Sequence, residues 1–447
     1  MPYYLRHFFP PDFNHTALQP PVMVDGNSHA HYLGYVHNVV AGQTLAELIY
    51  LDSLPEGYVA RDMPPEETIQ EEGEASLPKP DSLSFIPKPV PGETIPDIPS
   101  EEKYPYKGFL MQLREMDRRF VYANPVFPQG PNTAPDPQHQ NRIISLIKGY
   151  CFYHKGLITV KGLLNVRSDV NFQTGNILFI NDILVHGSVY PGFRLTGRNI
   201  RIKGRIDGGL IRAAGHVTAE SGIKGSPTAL IEADGIVRVA HCEHARIITP
   251  ANLIIDGDCM HSELFVGGSL VVKGRLMGGE AHTKEMVYVK ESIGNSKGAV
   301  TRIALGYDPL GFLHLQKLNG LQQDQAQKLQ YHINRARKGP HFAAEAAPFQ
   351  ELATRKLAVI KTMQTDAWRR FSTDLRRSGH TRVIAPGTVH PGVEISIGHA
   401  HSKIIHPENN AAFYLYEGNI TAGYPALAKH HSPDAGMDAA NNTDKTP

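Results

Sequence analysis

The sequence contains few of the residues on which several kinds of small module depend. Its 447 residues include only three cysteines and one tryptophan. The cysteines are Cys151, Cys242 and Cys259, an odd number without CxxC spacing. This pattern argues against a disulfide framework and against a cysteine-based zinc module.

A charge imbalance and long apolar runs are also missing. The 45 basic and 44 acidic residues give a formal net charge of +1, so no global field attracts a nucleic acid, and we expect no nucleic-acid partner. The sequence has no run of about 18 apolar residues. Its start, MPYYLRHFFPPDF, lacks the basic and apolar parts of a secretory signal. We therefore expect a cytoplasmic protein without a membrane span.

A repeat of about 17 residues is the main positive signal. Starting from NIRIKG, equivalent apolar positions recur at steps of 16 to 20 residues, and a second apolar position follows two residues later, as on one face of a strand. The four aligned columns are Ile183, Ile200, Val217, Val237, Leu253, Leu270 and Val287; Val185, Ile202, Ala219, Val239, Ile255, Val272 and Val289; Val189, Ile206, Ile223, Cys242, Cys259, Leu276 and Ile293; and Phe193, Ile211, Ile231, Ile247, Leu264 and Ala281.

Mostly small residues separate the second column from the third and indicate corners of the chain. They are Gly187, Gly204, Ser221, His241, Gly257 and Gly274. Short strands joined by such corners, with successive coils about 4.8 Å apart, form a parallel β-solenoid in which like side chains stack. The columns do not keep the six-residue spacing of left-handed hexapeptide helices. We therefore predict a right-handed parallel β-helix.

The rest of the chain divides by composition and periodicity, and the overall fold class is mainly β. We predict a small N-terminal β-rich unit with a turn at Gly42 (1–53), an acidic proline-rich linker or arm that is mainly disordered or polyproline-like (54–104), an irregular β lead-in (105–144), the right-handed β-helix (145–306), an antiparallel α-helical hairpin of the coiled-coil type (307–379), returning β-helix coils (380–423) and a disordered tail (424–447).

Two apolar stripes with a period of about 3.6 residues predict the hairpin. They are Leu310, Leu313, Leu318, Leu321, Leu329 and Ile333, then Phe349, Leu352, Val359, Ile360, Met363, Ala367, Phe371 and Leu375. We expect each stripe to cover the other. Because PGTVHPGVEISIG at 386–398 copies HGSVYPGFRLTG at 186–197, we expect the hairpin to be an excursion from the solenoid.

The order of these segments resembles the flagellar assembly protein A family, bacterial proteins with a central β-helix. The matching stretches include VNFQTGNILFINDILVHGSVYPGFRLTGRNIRIKG, GGSLVVKGRLMGG, ESIGNSKGAVTRIALG, the helical hairpin and GTVHPGVEISIG with FYLYEGNI, and they cover roughly residues 145–423. The resemblance implies a non-enzymatic cytoplasmic protein that helps to place or assemble flagella through protein contacts. The family offers no catalytic residues to carry over, and we expect no cofactor.

We predict a scaffold or assembly factor whose partners are flagellar or polar assembly factors, or further copies of itself as a homo-oligomer. One alternative is a self-polymerising β-helix cytoskeletal element, because solenoid ends expose backbone. Another is a β-helix carbohydrate-active enzyme, which needs carboxylates gathered on one outer sheet. The candidates Asp182, Asp207, Asp234, Asp256 and Asp258 occupy different positions within their coils. We therefore predict no catalytic residues.

Histidines and basic residues form the remaining candidate sites. The histidine groups are His29, His31 and His37; His241 and His244; and His399, His401 and His406. Because they lack cysteines or carboxylates at a firm spacing, we predict surface or edge histidines and no metal site. The basic group is Arg194, Arg198, Arg201, Lys203, Arg205 and Arg212. We interpret it as a solvated face, with docking of an acidic partner or of residues 56–102 as the alternative.

Overall fold

The computed structural model of the chain describes residues 2–11, 37–54, 57–61, 117–125, 127–225, 229–296, 298, 300–337, 339–376 and 381–424. Most of the predicted arm at 54–104, the first part of the lead-in at 105–144 and nearly all of the predicted tail at 424–447 lie outside the described residues. The fold is mainly β, with antiparallel sheets followed by a parallel β-solenoid of about 8 turns that carries two inserted helices. The chain divides into two compact units, Met1–Ser221 and Gly222–Pro447.

The first unit begins with antiparallel strands and ends with parallel ones. Its strands are β1 (Tyr3–His7), β2 (Asn38–Val39), β3 (Thr44–Tyr50), β4 (Val121–Tyr122), β5 (Thr133–Pro135), β6 (Arg142–Ser145), β7 (Gly149–His154), β8 (Leu157–Lys161), β9 (Leu163–Val166), β10 (Ile177–Leu178), β11 (Asp182–Val185), β12 (Arg194–Gly197), β13 (Ile200–Ile202), β14 (Leu210–Ala213) and β15 (Val217–Ala219). A 3-10 helix at Arg118–Phe120 precedes β4.

Two antiparallel sheets make up the start of this unit. The five-stranded sheet has the order β4-β1-β3-β6-β5 and the three-stranded sheet has the order β2-β7-β8. Leu5, Leu45 and Ile143 lie in their buried core. The predicted turn before β3 places Gly42 at a φ of +82°, which glycine adopts without strain. The prediction of a β-rich N-terminal region is confirmed for the described part of 1–53, whereas 12–36 lie outside the described residues. The antiparallel pairing continues as far as Lys161.

The parallel coils of the first unit place like positions directly over one another. The register partners are Ile183–Ile200–Val217, Val185–Ile202–Ala219 and Val189–Ile206. All of these side chains are buried. The first three predicted columns are therefore confirmed within this unit, and their inward direction follows from the alternation along each strand.

The fourth predicted column needs one correction. Ile211 pairs with Leu195, not with Phe193, and Leu195 pairs with Ile177 of the preceding coil. Phe193 and Leu195 are two residues apart in an extended segment, so both point inward, and both are at most 1% exposed. Alternation alone therefore could not distinguish the two positions.

The second unit contains the remaining coils and both helices. Its strands are β16 (Ile223–Lys224), β17 (Leu230–Ala233), β18 (Val237–Val239), β19 (Cys242–Glu243), β20 (Arg246–Thr249), β21 (Leu253–Ile255), β22 (Cys259–Val266), β23 (Leu270–Val272), β24 (Arg275–Thr283), β25 (Met286–Val289), β26 (Ser292–Ile293), β27 (Thr301–Leu305), β28 (Arg382–Val389), β29 (Glu394–Ile397), β30 (Ala400–Lys403), β31 (Glu408–Tyr416) and β32 (Asn419–Gly423). The helices are α1 (Pro309–Ala336) and α2 (Pro340–Arg376). No helix in the described part of the chain is long and apolar enough to cross a membrane.

The parallel register of the second unit continues across the inserted helices. Three ladders of its buried residues are Val237–Leu253–Leu270–Val287–Val383, Ile223–Cys242–Cys259–Leu276–Ile293–Val389 and Ile231–Ile247–Leu264–Ala281–Ile303–Ile395. The strands β28 and β29 therefore stack on the coil that precedes the helices. The helices are an excursion from the solenoid, as predicted from the copy of residues 186–197 at 386–398.

After β29 the chain reverses its direction. The strand β30 pairs antiparallel with β29, β31 with β28, and β32 with β31. We call β30, β31 and β32 the closing strands. The region predicted as returning coils thus contains one parallel coil and an antiparallel cover for it.

The glycines at two corners are required by the closeness of the neighbouring coil. The Gly204 N–H donates to the Gly187 carbonyl at 3.2 Å, and a Cβ at Gly204 would lie 2.2 Å from that oxygen. A Cβ at Gly274 would lie 2.7 Å from the carbonyl oxygen of Gly257. Neither Gly204 nor Gly274 has a positive φ. These corners therefore need the absence of a side chain and not an unusual backbone conformation.

Ile206→Asp is expected to lower the free energy of unfolding by about 4 kcal/mol or more, because it places a carboxylate at a fully buried position. Arg205→Asp alters an exposed neighbour that pairs with Asp207, and it should cost about 1 kcal/mol or less. Urea denaturation followed by circular dichroism compares the two. Equal midpoints for the two variants would contradict the inward placement of Ile206.

Gly204→Ala is expected to lower the free energy of unfolding by about 1–3 kcal/mol, because the adjacent coil must shift to accept the methyl group. Gly320→Ala is the matched control. It adds the same methyl group to α1 where nothing lies within 4 Å, and it should raise the free energy of unfolding by up to about 1 kcal/mol. If Gly204→Ala is as stable as the wild type in urea, the close stacking at this corner is not as described.

Candidate functional site

Two of the aspartates weighed as catalytic candidates cap corners of the solenoid. Asp182 accepts hydrogen bonds from the backbone N–H of Asn199 at 3.2 Å and from its side-chain amide at 2.9 Å. Asp258 accepts from the backbone N–H of Arg275 at 2.8 Å, and the Arg275 guanidinium holds the pKa of Asp258 below its usual value. Both carboxylates therefore satisfy groups of the next coil.

The other candidate aspartates lie on the outer surface. The ion pairs there join Asp207 to Arg205, and Asp256 to both Arg238 and Lys273. Asp234 is exposed. Each of these carboxylates has its own surroundings, and the described contacts do not gather them into a pair that could divide acid and base roles.

The histidine groups do not form a metal site among the described residues. His29 and His31 lie outside those residues. His244 stacks on His261 of the next coil, with ring centroids 5.2 Å apart and planes 13° from parallel. The remaining candidates are His37, His241, His399, His401 and His406. Within the described ranges, no three His, Cys, Asp or Glu side chains lie close enough to hold a metal ion.

Several members of the predicted basic patch have partners on the solenoid itself. The contacts join Arg201 to Glu220, Arg205 to Asp207, and Lys203 to Nδ1 of His186 at 3.4 Å. The two ion pairs with carboxylates reduce the positive charge available to an acidic partner. Most of residues 56–102, the internal partner considered for this patch, lie outside the described residues.

An aromatic stack joins the base of the helical hairpin to the solenoid wall in the second unit. Phe265 and His282 are register partners on β22 and β24, and their rings lie 4.8 Å apart and 2° from parallel. Phe312 of α1 extends the stack, with its ring 5.4 Å from that of His282. Tyr307, which precedes α1, contacts Phe312 and Phe371 of α2. Phe312 and Phe371 also contact each other. We call these five residues the anchor cluster.

His282 brings a titratable group into the anchor cluster. Its Nδ1 is hydrogen-bonded to the Tyr307 hydroxyl, and its Nε2 lies 3.4 Å from Oε2 of Glu280, which also pairs with Arg302 at 2.8 Å. Burial lowers the pKa of His282 despite the opposing effect of Glu280. Burial also raises the pKa of Tyr307 above its ordinary value. The folded protein therefore favours neutral forms of both side chains.

The two helices are antiparallel, as predicted. Gln364, in the second half of α2, bonds to Asn319 in the first half of α1 at 2.8 Å, and Arg335 near the end of α1 pairs with Glu345 near the start of α2 at 2.7 Å. The less exposed residues of α2 are spaced alternately by three and four, as in a coiled-coil seam. This inner seam is Ala343, Ala346, Gln350, Ala353, Leu357, Ile360, Gln364, Ala367 and Phe371.

Half of the predicted apolar stripe on α2 does not lie in this inner seam. Phe349, Leu352, Val359 and Met363 are 54, 50, 60 and 44% exposed. We call these four residues the outer stripe. The prediction that each helix stripe covers the other is wrong for them, because the side of α2 that is less exposed lies one residue further along the helix. On α1, Leu318 is buried as expected, whereas Leu321 is 42% exposed.

Together these features define a class of protein, the parallel β-solenoids with an inserted antiparallel helical hairpin. Residues 163–420 match the family described as the Flagellar Assembly Protein A beta solenoid domain. Because this match covers more than half of the chain, the chain belongs to that family, and the resemblance predicted from the sequence is confirmed. Comparisons with curated proteins and with solved structures gave no match.

Sequence reasoning misses the anchor cluster, although a signal for it is present. His282 follows Phe265 by one repeat of 17 residues, so the spacing alone places one ring over the other. No such signal exists for Tyr307, Phe312 and Phe371, because their positions depend on how the two helices pack against the solenoid.

His282→Phe is expected to weaken the dependence of stability on pH. Because the folded pKa of His282 lies below the value of 6.5 expected in the unfolded chain, the unfolded chain binds the proton more readily between these two pKa values. Stability from the neutral ring is therefore complete above about pH 6.5 and falls as the pH drops through that value toward the folded pKa. Phenylalanine keeps the stacked ring and removes the titration, at the cost of the hydrogen bond to Tyr307.

The measurement is the Tm of the full chain between about pH 7.5 and about pH 5. His314→Phe, which changes an exposed histidine on α1, is the control. A smaller loss of Tm on acidification is expected for His282→Phe alone. The same loss in wild type and both variants would contradict the assigned role of His282.

Proposed function

We propose that this chain is a non-enzymatic scaffold or assembly factor that acts in the bacterial cytoplasm through protein–protein contacts, with flagellar or polar assembly factors as partners. Membership of the Flagellar Assembly Protein A beta solenoid domain family supports the connection with flagella. The observation that carries the proposal is the outer stripe. Four large apolar side chains along one line of α2 are about half exposed, which is typical of a surface that binds another macromolecule.

The solenoid and the anchor cluster give this surface a rigid support. The backbones of successive coils are hydrogen-bonded to one another within each unit, so each coil is held by its neighbours. The stacked rings of Phe265, His282 and Phe312 fix the base of α1 to two coils at once. A helix held in this way loses little further conformational freedom when a partner binds.

Two alternative functions have less support. The closing strands weigh against a self-polymerising filament, because β31 already pairs with β28 along the edge to which a further parallel coil would add. The separate contacts of Asp182, Asp207, Asp256 and Asp258 weigh against a carbohydrate-active enzyme. A homo-oligomer formed through another surface stays a prediction.

Replacing Leu352 and Val359 together by Gln is expected to abolish flagellar assembly or placement in the native host while the protein remains folded. Both side chains are at least 50% exposed, so the Tm should change by no more than a few degrees. The readout is the number and position of flagella counted by electron microscopy, with the protein level measured in the same cells.

The matched control replaces Thr354 and Thr365 by Gln, two exposed positions of α2 outside the outer stripe. This control is expected to assemble flagella like the wild type. Normal flagella in cells that carry the Leu352 and Val359 replacements at a normal protein level would count against contact through the hairpin.

A further inference from the structure

The outer stripe has the spacing of a second coiled-coil seam. Its members are separated by steps of three, seven and four residues, and Lys356 divides the step of seven into four and three. Each position precedes a residue of the inner seam by one, as Leu352 precedes Ala353 and Val359 precedes Ile360. Residues on a helix at such alternating steps of three and four lie along one line. The outer stripe is therefore a continuous line beside the inner seam.

A helix with two such seams has room for two helical neighbours. The inner seam is occupied by α1. Over its first part, Phe349 and Leu352, the outer stripe has larger apolar side chains than the adjacent part of the inner seam, which is Ala346, Gln350 and Ala353. Among the described residues, the contact that we find for it is the stacking of Phe349 on His332, with ring centroids 5.0 Å apart. The stripe therefore has the geometry of a binding surface for a further helix.

The positive charge of Lys356, at the centre of the stripe, restricts which helix can bind there. Lys356 is exposed, and no ion pair to it is found in the described part of the chain. Its helical neighbours three and four residues away are Leu352, Ala353, Val359 and Ile360, none of which bears a charge. A helix that covers the stripe lies over the stem of Lys356 and removes part of the water around its ammonium group. That desolvation is unfavourable unless the incoming helix supplies a carboxylate.

A second copy of α2 does not meet this requirement. The four apolar side chains are distributed evenly about Lys356, with Phe349 and Met363 at the two ends. A symmetric parallel pair in register therefore places Lys356 against Lys356 of the second copy, and so does an antiparallel pair that covers the complete stripe. Like charges placed opposite each other destabilise a helix pair.

We propose that the outer stripe binds an amphipathic α-helix of a different protein, with aliphatic residues at coiled-coil spacing and an Asp or Glu that faces Lys356. This inference rests on the proposed function, because it specifies the chemistry of the partner at the same surface. The aliphatic residues supply most of the affinity, and the carboxylate determines which helix is accepted.

The test uses two fluorescent synthetic helical peptides of about three heptads with Leu at the a and d positions. They are identical except that the central a position is Glu in one and Lys in the other. Their affinities for the full-length protein are measured by fluorescence anisotropy. Wild type is expected to bind the Glu peptide at least about fivefold more tightly than the Lys peptide, and Lys356→Glu is expected to reverse this preference.

Lys361→Glu is the matched control, because it makes the same change of charge on α2 at an exposed position outside the outer stripe. It is expected to keep the wild-type preference. Equal affinities for both peptides, or binding of neither, would overturn the inference. Binding of neither peptide is the result expected if a segment of the same chain occupies the stripe, and it rejects a partner from another protein. Dimerisation of wild type that is lost in Val359→Asp, measured by sedimentation velocity, would overturn it in favour of a second copy.

The two proposals can fail separately. If the Leu352 and Val359 replacements abolish flagellar assembly but the peptides show no preference, the scaffold function stands and the acidic partner helix is wrong. If the preference reverses with Lys356→Glu but those replacements leave flagella normal, the surface has the inferred chemistry and the scaffold function is wrong.

Discussion

Each coil of the solenoid must bring its backbone back within hydrogen-bonding distance of the coil before it, and the rest of the structure depends on this constraint. It places Ile200 directly between Ile183 and Val217, and it aligns Cys242, Cys259 and Leu276 in the second unit. It also explains why Gly204 bears no side chain. A coil of about 17 residues has too small a core to fold alone, so its stability comes from its neighbours.

The same constraint determines where the chain can depart from the solenoid. The two helices leave after β27 and return at β28, and the register resumes with Ile303 paired to Ile395. The insertion is therefore tolerated because the ladder continues on either side of it. The anchor cluster depends on the same register, because Phe265 and His282 are paired residues of successive coils and their rings stack. Phe312 of α1 stacks on His282. The fold thus converts a repeating spacing into a fixed position for α1.

Much of the fold could be predicted because the repeat is a periodic signal along the chain. Three columns and the excursion of the helices follow from the sequence, whereas choosing between Phe193 and Leu195 requires the pairing itself. The right-handed sense of the solenoid stays a prediction. The outer stripe shows a different limit. Apolar residues at Val359 and Ile360 fit either face of α2, and the pattern does not state which face meets α1. Long-range contacts decide that question.

The closing strands have a consequence for how such a protein changes during evolution. Because β31 pairs antiparallel with β28 at this end of the second unit, and β32 pairs antiparallel with β31, β28 has no free edge here to which another parallel strand could add. Tandem duplication at this end would leave the new segment without a matching edge. Duplication of about 17 residues between existing coils would instead preserve every inward position. Solenoids of this kind are therefore free to lengthen from within.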